Sequence, residues 1–162
     1  MRAVFVGRFQ PFHLGHLHAV EDAEERYDLV LAVGSSNKER TRENPLTFEE
    51  RKKVLDNCLE KPEIVGLEDR DDNSEWMDQV EEELDFDVCI SGNSLVRRLF
   101  SERGHEVEDP DYLKPEVYSG TEIRRRVVEG ENWRKLVPGC SLEALEEVGF
   151  EEAVKESYEN DG

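Results

Sequence analysis

The chain has 162 residues, 40 acidic against 21 basic, for a formal net charge of −19. That length holds one domain with a real core. No apolar run approaches a membrane span, and so acidic a chain is a poor partner for nucleic acid, whose phosphates are bound by basic patches.

Apolar segments recur at regular spacing, which excludes general disorder. The acid is therefore expected on a folded surface, as halophiles use for solubility in strong salt. Ala3 to Val6 reads as a buried strand. Gly7-Arg8-Phe9-Gln10-Pro11-Phe12-His13-Leu14-Gly15-His16 follows it, then a first helix from about His16 to Arg26. Leu29 to Val33 is a second strand, ending at the turn Gly34-Ser35-Ser36-Asn37, and Lys38 to Asn44 is a polar loop. Thr47 and Glu50 have capping-box spacing, so a second helix begins there and runs through Arg51, Val54 and Leu55 to about Leu59. Ile64 to Leu67 is a third strand. A charged loop then leads to an N-cap at Asn73 or Ser74, and a third helix carries Trp76, Met77, Val80 and Leu84 on one stripe. Asp87 to Ser91 is a fourth strand, followed by Gly92-Asn93, a fourth helix from Ser94 to Arg103, and a short edge strand at His105-Glu106-Val107. Tyr118 to Arg124 opens a fifth helix whose last residues include Trp133 and Leu136. Pro138-Gly139 breaks the chain, and a final helix near Ser141 to Glu147 leads to an acidic tail that frays.

Strict strand–helix alternation predicts an α/β fold, a Rossmann-like parallel sheet with helices on both faces. One domain over 1–162 is expected, with a small helical C-terminal extension from about 139. Cys58, Cys89 and Cys140 lie far apart with no C-x-x-C pair. That predicts no disulfide framework, no zinc site and a reducing, cytoplasmic setting. The apolar run after Met1-Arg2 is too short for a signal peptide.

Two stretches carry chemistry. The first is the strand–turn–helix start at Gly7 to His16, which aims free N–H groups and the positive helix end at one point, suited to a phosphate. His13 and His16 face the same way there, and Gly15 between them removes a side chain where a ligand would come close. The second is Ser119-Gly120-Thr121-Glu122-Ile123-Arg124. Ser119 and Glu122 have capping-box spacing, Gly120 opens the backbone, Thr121 adds a hydroxyl, and Arg124 reaches back one turn, making a second anion site. An acidic surface repels free nucleotides, so a local basic island is needed. Arg97, Arg98, Arg103, Arg124, Arg125 and Arg126 are its candidates.

The G-R-F-Q-P-x-H-x-G-H run resembles the signature of the H-x-G-H nucleotidylyltransferase superfamily, and its G-R-F-Q-P form resembles the archaeal nicotinamide-nucleotide adenylyltransferases. The run from Ser119 to Arg124 is similar to the S-G-T-x-I-R motif of that superfamily. Gly92 through Phe100, Trp133 to Pro138, and Asp72-Asn73 with Trp76 also look like the archaeal enzymes. The resemblance implies ATP plus nicotinamide mononucleotide giving NAD and pyrophosphate, with the mononucleotide phosphate attacking the α-phosphorus in line and Mg²⁺ carried on the ATP phosphates. It implies a catalytic set of His13, His16, Arg8 and Arg124, with His16 donating to the α-phosphate and the arginines holding the departing phosphates. Gly7, Phe9, Gly15, Gly92, Tyr118, Ser119, Gly120 and Thr121 would line the ATP site. Ser35, Asn37, Asp72, Asn73 and Trp76 would hold the mononucleotide, Trp76 by stacking on the nicotinamide ring. It also implies a homo-oligomer, a hexamer. No protein-held metal is expected. Where relatives often carry a basic residue two positions before the loop proline, this chain has Glu43, with Arg40 or Arg42 as candidate substitutes. The alternatives are transfer to another phosphate, such as FMN or phosphopantetheine, or a nucleotide sensor without turnover.

Overall fold

The computed structural model describes residues 1–161. Five strands, β1 (Arg2–Gly7), β2 (Asp28–Val33), β3 (Glu63–Gly66), β4 (Val88–Ile90) and β5 (Glu106–Glu108), form one parallel sheet in the order β3-β2-β1-β4-β5. Val4 of β1 stands opposite Val30 of β2 and Cys89 of β4. The period of two along β1 splits the core into two layers. Ala3 and Phe5 face one cluster, with Leu31, Val33 and Ile90; Val4 and Val6 face the other, with Val30, Ala32 and Cys89.

The first layer is covered by α1 (Leu14–Arg26), α2 (Phe48–Cys58), α5 (Gly120–Glu129), α6 (Gly139–Val148) and α7 (Phe150–Asp161), the second by α3 (Asn73–Glu83) and α4 (Ser94–Glu102). The sheet and its two-sided cover match the expected α/β class. No described helix is long and apolar enough to cross a membrane.

Capping explains most helix starts. Thr47 accepts from the Glu50 N–H at 3.1 Å and the Glu50 carboxylate accepts from the Thr47 N–H at 2.9 Å, so the expected capping box forms. At α5 only half of it forms. Ser119 accepts from the Glu122 N–H at 3.1 Å, but the Glu122 carboxylate is drawn away by Arg125 and Arg126 at 2.9 and 2.7 Å. Those two pairs pull the Glu122 carboxyl down to a pKa of about 2. The cap of α3 is Asp72, neither Asn73 nor Ser74, because its carboxylate accepts from the Ser74 N–H at 2.8 Å.

Three further expectations are overturned. Helix α5 ends at Glu129, where Gly130 adopts φ 72° and closes it, so Trp133 and Leu136 belong to the following 3₁₀ turn (Arg134–Leu136) and its cap. The acidic tail does not fray; it is α7, with Phe150, Ala153, Val154 and Ser157 buried at helical spacing and the Ser157 hydroxyl bonded to the Ala153 carbonyl. Cys58 and Cys140, separated by 82 residues, form a disulfide that joins the end of α2 to α6, while Cys89 is free and buried.

Candidate active site

The chain runs β1, β2, β3 toward one edge of the sheet, then returns to place β4 on the other side of β1. Loops leaving the carboxyl ends of β1 and β4 therefore diverge and open a crevice, the general ligand position in such sheets. The crevice here has a volume of about 660 Å³. Its walls bring together Gly7 and Arg8 from β1 and its loop, His16 from α1, Ser35 and Asn37 after β2, Asn73 and Trp76 from α3, and Gly92 after β4. All eight are expected site residues, drawn from four separate stretches of chain. Asp69, Asp71, Arg70, Lys38 and Tyr112 also line it.

At its head lies the histidine pair. His13 caps α1: its Nδ1 accepts from the His16 N–H at 3.3 Å, and the Nδ1 of His16 accepts from the His13 N–H at 3.1 Å. The rings stack 3.6 Å apart. His16 is also packed against Phe9 at 4.8 Å and Phe12 at 5.7 Å. These contacts bury both rings, to 4 % and 9 % exposure. Burial lowers the pKa of His13 to about 3, and burial together with the neighbouring His13 puts His16 well below its ordinary value. Both imidazoles are thus neutral at neutral pH. A ring nitrogen that accepts an N–H carries no proton, so each proton sits on Nε2. The pair therefore offers two uncharged Nε2–H donors.

Arg8 is exposed and meets Glu43 at 3.2 Å. Arg124 is 9 % exposed; its guanidinium donates to the Gln10 carbonyl at 2.7 Å and reaches the Thr121 hydroxyl at 3.5 Å, while its Nε is buried without a partner. Burial lowers its pKa. Gln10 in turn is locked to Leu46 through both side-chain atoms, at 2.9 and 3.0 Å. The Ser119–Arg124 motif thus docks on the loop between β1 and α1, which unites the two motifs although 102 residues lie between His16 and Ser119.

Several expected roles change. Gly15 and Gly120 do not leave room for a ligand. A Cβ on Gly15 would lie 3.0 Å from the His13 ring and 3.2 Å from Tyr118, and one on Gly120 would lie 2.7 Å from the Arg124 guanidinium. Both glycines admit the protein's own groups. Phe9, with φ 53° and 2 % exposure, is a buried platform under His16 rather than an open contact. Asp72 is occupied as the α3 cap, and Asp71 takes its place on the crevice wall. Ser35 donates to Asp69 at 2.9 Å, and Asn37 accepts from the Asp69 N–H at 2.9 Å, so these two brace the rim.

The basic island does not exist as expected. Arg97 pairs with Asp109, Arg98 with Glu102, Arg103 with Asp78 and Glu81, and Arg125 and Arg126 with Glu122. Of the six, Arg124 alone turns toward the histidine loop. Neither Arg40 nor Arg42 replaces a basic residue at Glu43. Arg40 is held by Glu50 at 2.9 Å, and Arg42 lies over the Tyr158 ring at 4.9 Å. One residue passed over in the sequence is Arg51, buried under the loops of the crevice.

Residues 4–126 match the model of the cytidylyltransferase-like family. A nicotinamide-nucleotide adenylyltransferase of Methanococcus aeolicus is 35 % identical over 161 residues, covering 96 % of this chain and 94 % of its own. The enzyme of that name from Halorubrum lacusprofundi is 38 % identical, covering 99 % and 95 %. That from Thermococcus sibiricus is 40 % identical, covering 96 % and 88 %. In fold, the chain superposes with a TM-score of 0.77 on a bifunctional NMN adenylyltransferase/ADP ribose pyrophosphatase from Francisella tularensis, solved with AMP and a manganese ion; identity is 22 %, and the match spans 98 % of this chain and 52 % of that one. With the second motif bonded through Arg124 to the loop of the first, and 35–40 % identity over nearly the full length of these relatives, the chain belongs to the cytidylyltransferase-like family and, within it, to the nicotinamide-nucleotide adenylyltransferases.

Proposed function

We propose that this protein transfers the adenylyl group of ATP to nicotinamide mononucleotide, giving NAD and pyrophosphate. The observation that carries this reading is the histidine pair, two neutral Nε2–H donors fixed by reciprocal main-chain hydrogen bonds, with His16 on the crevice wall.

The attacking phosphate oxygen is ionised at neutral pH, so no general base is required. Catalysis reduces to positioning and stabilising charge. His16 donates to an α-phosphate oxygen as negative charge builds there, without giving up its proton. His13 holds the His16 ring and contributes the neighbouring donor. Arg8 takes the departing phosphates, and the unpartnered Arg124 Nε is one more donor at the same loop. Among the described residues no group of three His, Cys, Asp or Glu side chains is placed to hold a metal ion. The divalent cation, Mg²⁺, is carried on the ATP phosphates, as the family resemblance implies. Trp76 stands in the crevice with Leu95, Val96 and Leu99 and offers its face to the nicotinamide ring, while Asn73 bonds the carboxamide. Ser35 and Asn37 serve the mononucleotide phosphate or ribose.

The same reading places the enzyme in the cytoplasm, where both phosphorylated substrates are retained; the cysteine argument for that location falls with the Cys58–Cys140 disulfide. It assembles as a homo-oligomer, a hexamer by family resemblance, and its −19 charge suits a halophile. A product assay in high potassium chloride tests the activity: ATP and Mg²⁺ with nicotinamide mononucleotide, FMN or phosphopantetheine in parallel. NAD is expected in the first tube. Turnover of FMN or phosphopantetheine instead overturns the substrate, and ATP binding without any turnover leaves a sensor.

A further inference from the structure

Arg51 sits in the first turn of α2 within the basic run Arg51-Lys52-Lys53, yet it is 1 % exposed. Its hydrogen bonds run to main-chain carbonyls: Nε to Thr47 at 3.2 Å, Nη1 to Arg8 at 3.1 Å and to Gly34 at 2.8 Å, and Nη2 to Ser35 at 3.0 Å. The carbonyls of Arg8 and of Gly34-Ser35 belong to two different loops, those leaving β1 and β2. One planar cation therefore ties together the loop carrying the phosphate-facing Arg8 and the turn carrying Ser35, which is itself held at φ 51°. Burying a charge is costly unless its donors are met, and here the donors are met by groups that set site geometry rather than by a carboxylate. Burial beside the Arg8 charge lowers the Arg51 pKa to about 10, which still leaves it charged at neutral pH.

We infer that Arg51 is a positioning residue that couples the two halves of the crevice, fixing Arg8 against ATP and the Ser35 turn against the mononucleotide in one register. The inference rests on the proposed phosphate role of Arg8. Lysine is no substitute. Its ammonium is a point donor on a flexible stem and cannot span both loops with a fixed fork. Displacement of a reacting group by about 1 Å costs on the order of 100-fold in rate.

The test is a double-mutant cycle with Arg8→Ala and Arg51→Lys, reading kcat/KM and melting temperature in high salt. Arg51→Lys alone is expected to lower kcat/KM about 100-fold. In the Arg8→Ala background it should lower it only about tenfold further, because Arg8 is already gone and only the Ser35 turn is left to lose its register. Its effect on melting temperature should be the same in both backgrounds, which a merely structural role would mirror in activity. Equal activity losses in both backgrounds overturn the coupling. Wild-type turnover by Arg8→Ala overturns the phosphate role of Arg8 and the inference with it, so the two failures are distinct. Should Arg51→Lys not fold, Arg51→Gln, which keeps an N–H₂ donor and buries no charge, enters the same cycle with the same readouts.

Discussion

Protonation of the histidine pair should destabilise this protein, and the size of the effect follows from the burial of the two rings. An ordinary imidazole titrates near 6.5, whereas His13 is held to about 3 and His16 also lies well below 6.5. Between those values the unfolded chain binds protons that the folded chain refuses. Stability therefore rises with pH in that window. The contribution is whole above pH 6.5 and is lost as pH falls toward 3. A ring whose folded pKa lies below the window contributes about 1.4 kcal/mol per pH unit, so going from pH 6.5 to 5 costs about 2 kcal/mol for His13, and His16 adds a loss of the same sign. The assay is urea unfolding at pH 7, 6 and 5 in molar salt, for wild type and for a His13→Asn/His16→Asn variant. Asparagine preserves an N-cap acceptor at position 13. Carboxylates titrate alike in both proteins, so the wild-type stability should fall by at least about 2 kcal/mol more over this range. The Cε1 proton of His13 should meanwhile keep its NMR shift down to pH 5, and that of His16 should titrate below 6.5. Equal pH slopes in the two proteins, or a midpoint near 6.5 for either ring, would refute the neutral pair and with it the assignment of both Nε2–H donors.

Trp76→Ala should raise the KM for the mononucleotide by roughly 10- to 100-fold, the worth of one stacked base, and leave that for ATP nearly unchanged; a loss confined to ATP would displace the tryptophan from the nicotinamide site. Glu43→Ala should lower the KM for ATP by up to about fivefold, since the exposed Arg8 pair is worth at most about 1 kcal/mol and competes with phosphate; weaker ATP binding would mean that Glu43 orients Arg8 instead. Reducing Cys58–Cys140 should cost about 4.5 kcal/mol on the chain-entropy scale for an 82-residue closure, about 9–18 °C in melting temperature for a chain of this size. Calorimetry with thiol counts before and after reduction checks it, and an unmoved midpoint in fully reduced protein would refute it. Stability should also fall in dilute buffer as the acidic surface repels itself; equal melting in dilute and molar salt would remove the halophile reading.

What the sequence made legible is what local pattern encodes. Short apolar runs marked β1 to β4, and the Thr47/Glu50 spacing marked the α2 cap because both partners lie within one turn. The strand–turn–helix context at Gly7 to His16 likewise located the crevice head. Features that depend on distant neighbours were hidden. A missing Cβ at Gly15 or Gly120 is visible in sequence, but not that His13 or Arg124 fills the space. The arginines between 97 and 126 look like one cluster along the chain, yet their helices turn most of them onto local carboxylates. Cys58 and Cys140 meet only because α6 packs on α2. Arg51 reads as one more surface base until the loops above it are in place. The last helix had a local signal after all: Phe150, Ala153, Val154, Ser157 and Tyr158 keep a spacing of three and four, masked by the acidic residues between them.

The sheet order has a consequence for the chain as it is made. β1 pairs with β2, about 26 residues downstream, and with β4, about 85 residues downstream, as Ala3 opposite Leu29 and Val88 shows. A ribosome-bound chain that has finished β2 and β3 thus holds Val4, Phe5 and Val6 on a strand with one edge open, its N–H and C=O groups unpaired until β4 emerges. An open apolar edge is a template for pairing with other chains. The same strand that anchors the crevice in the finished enzyme is, while the chain grows from Gly66 to Val88, a point open to misassembly.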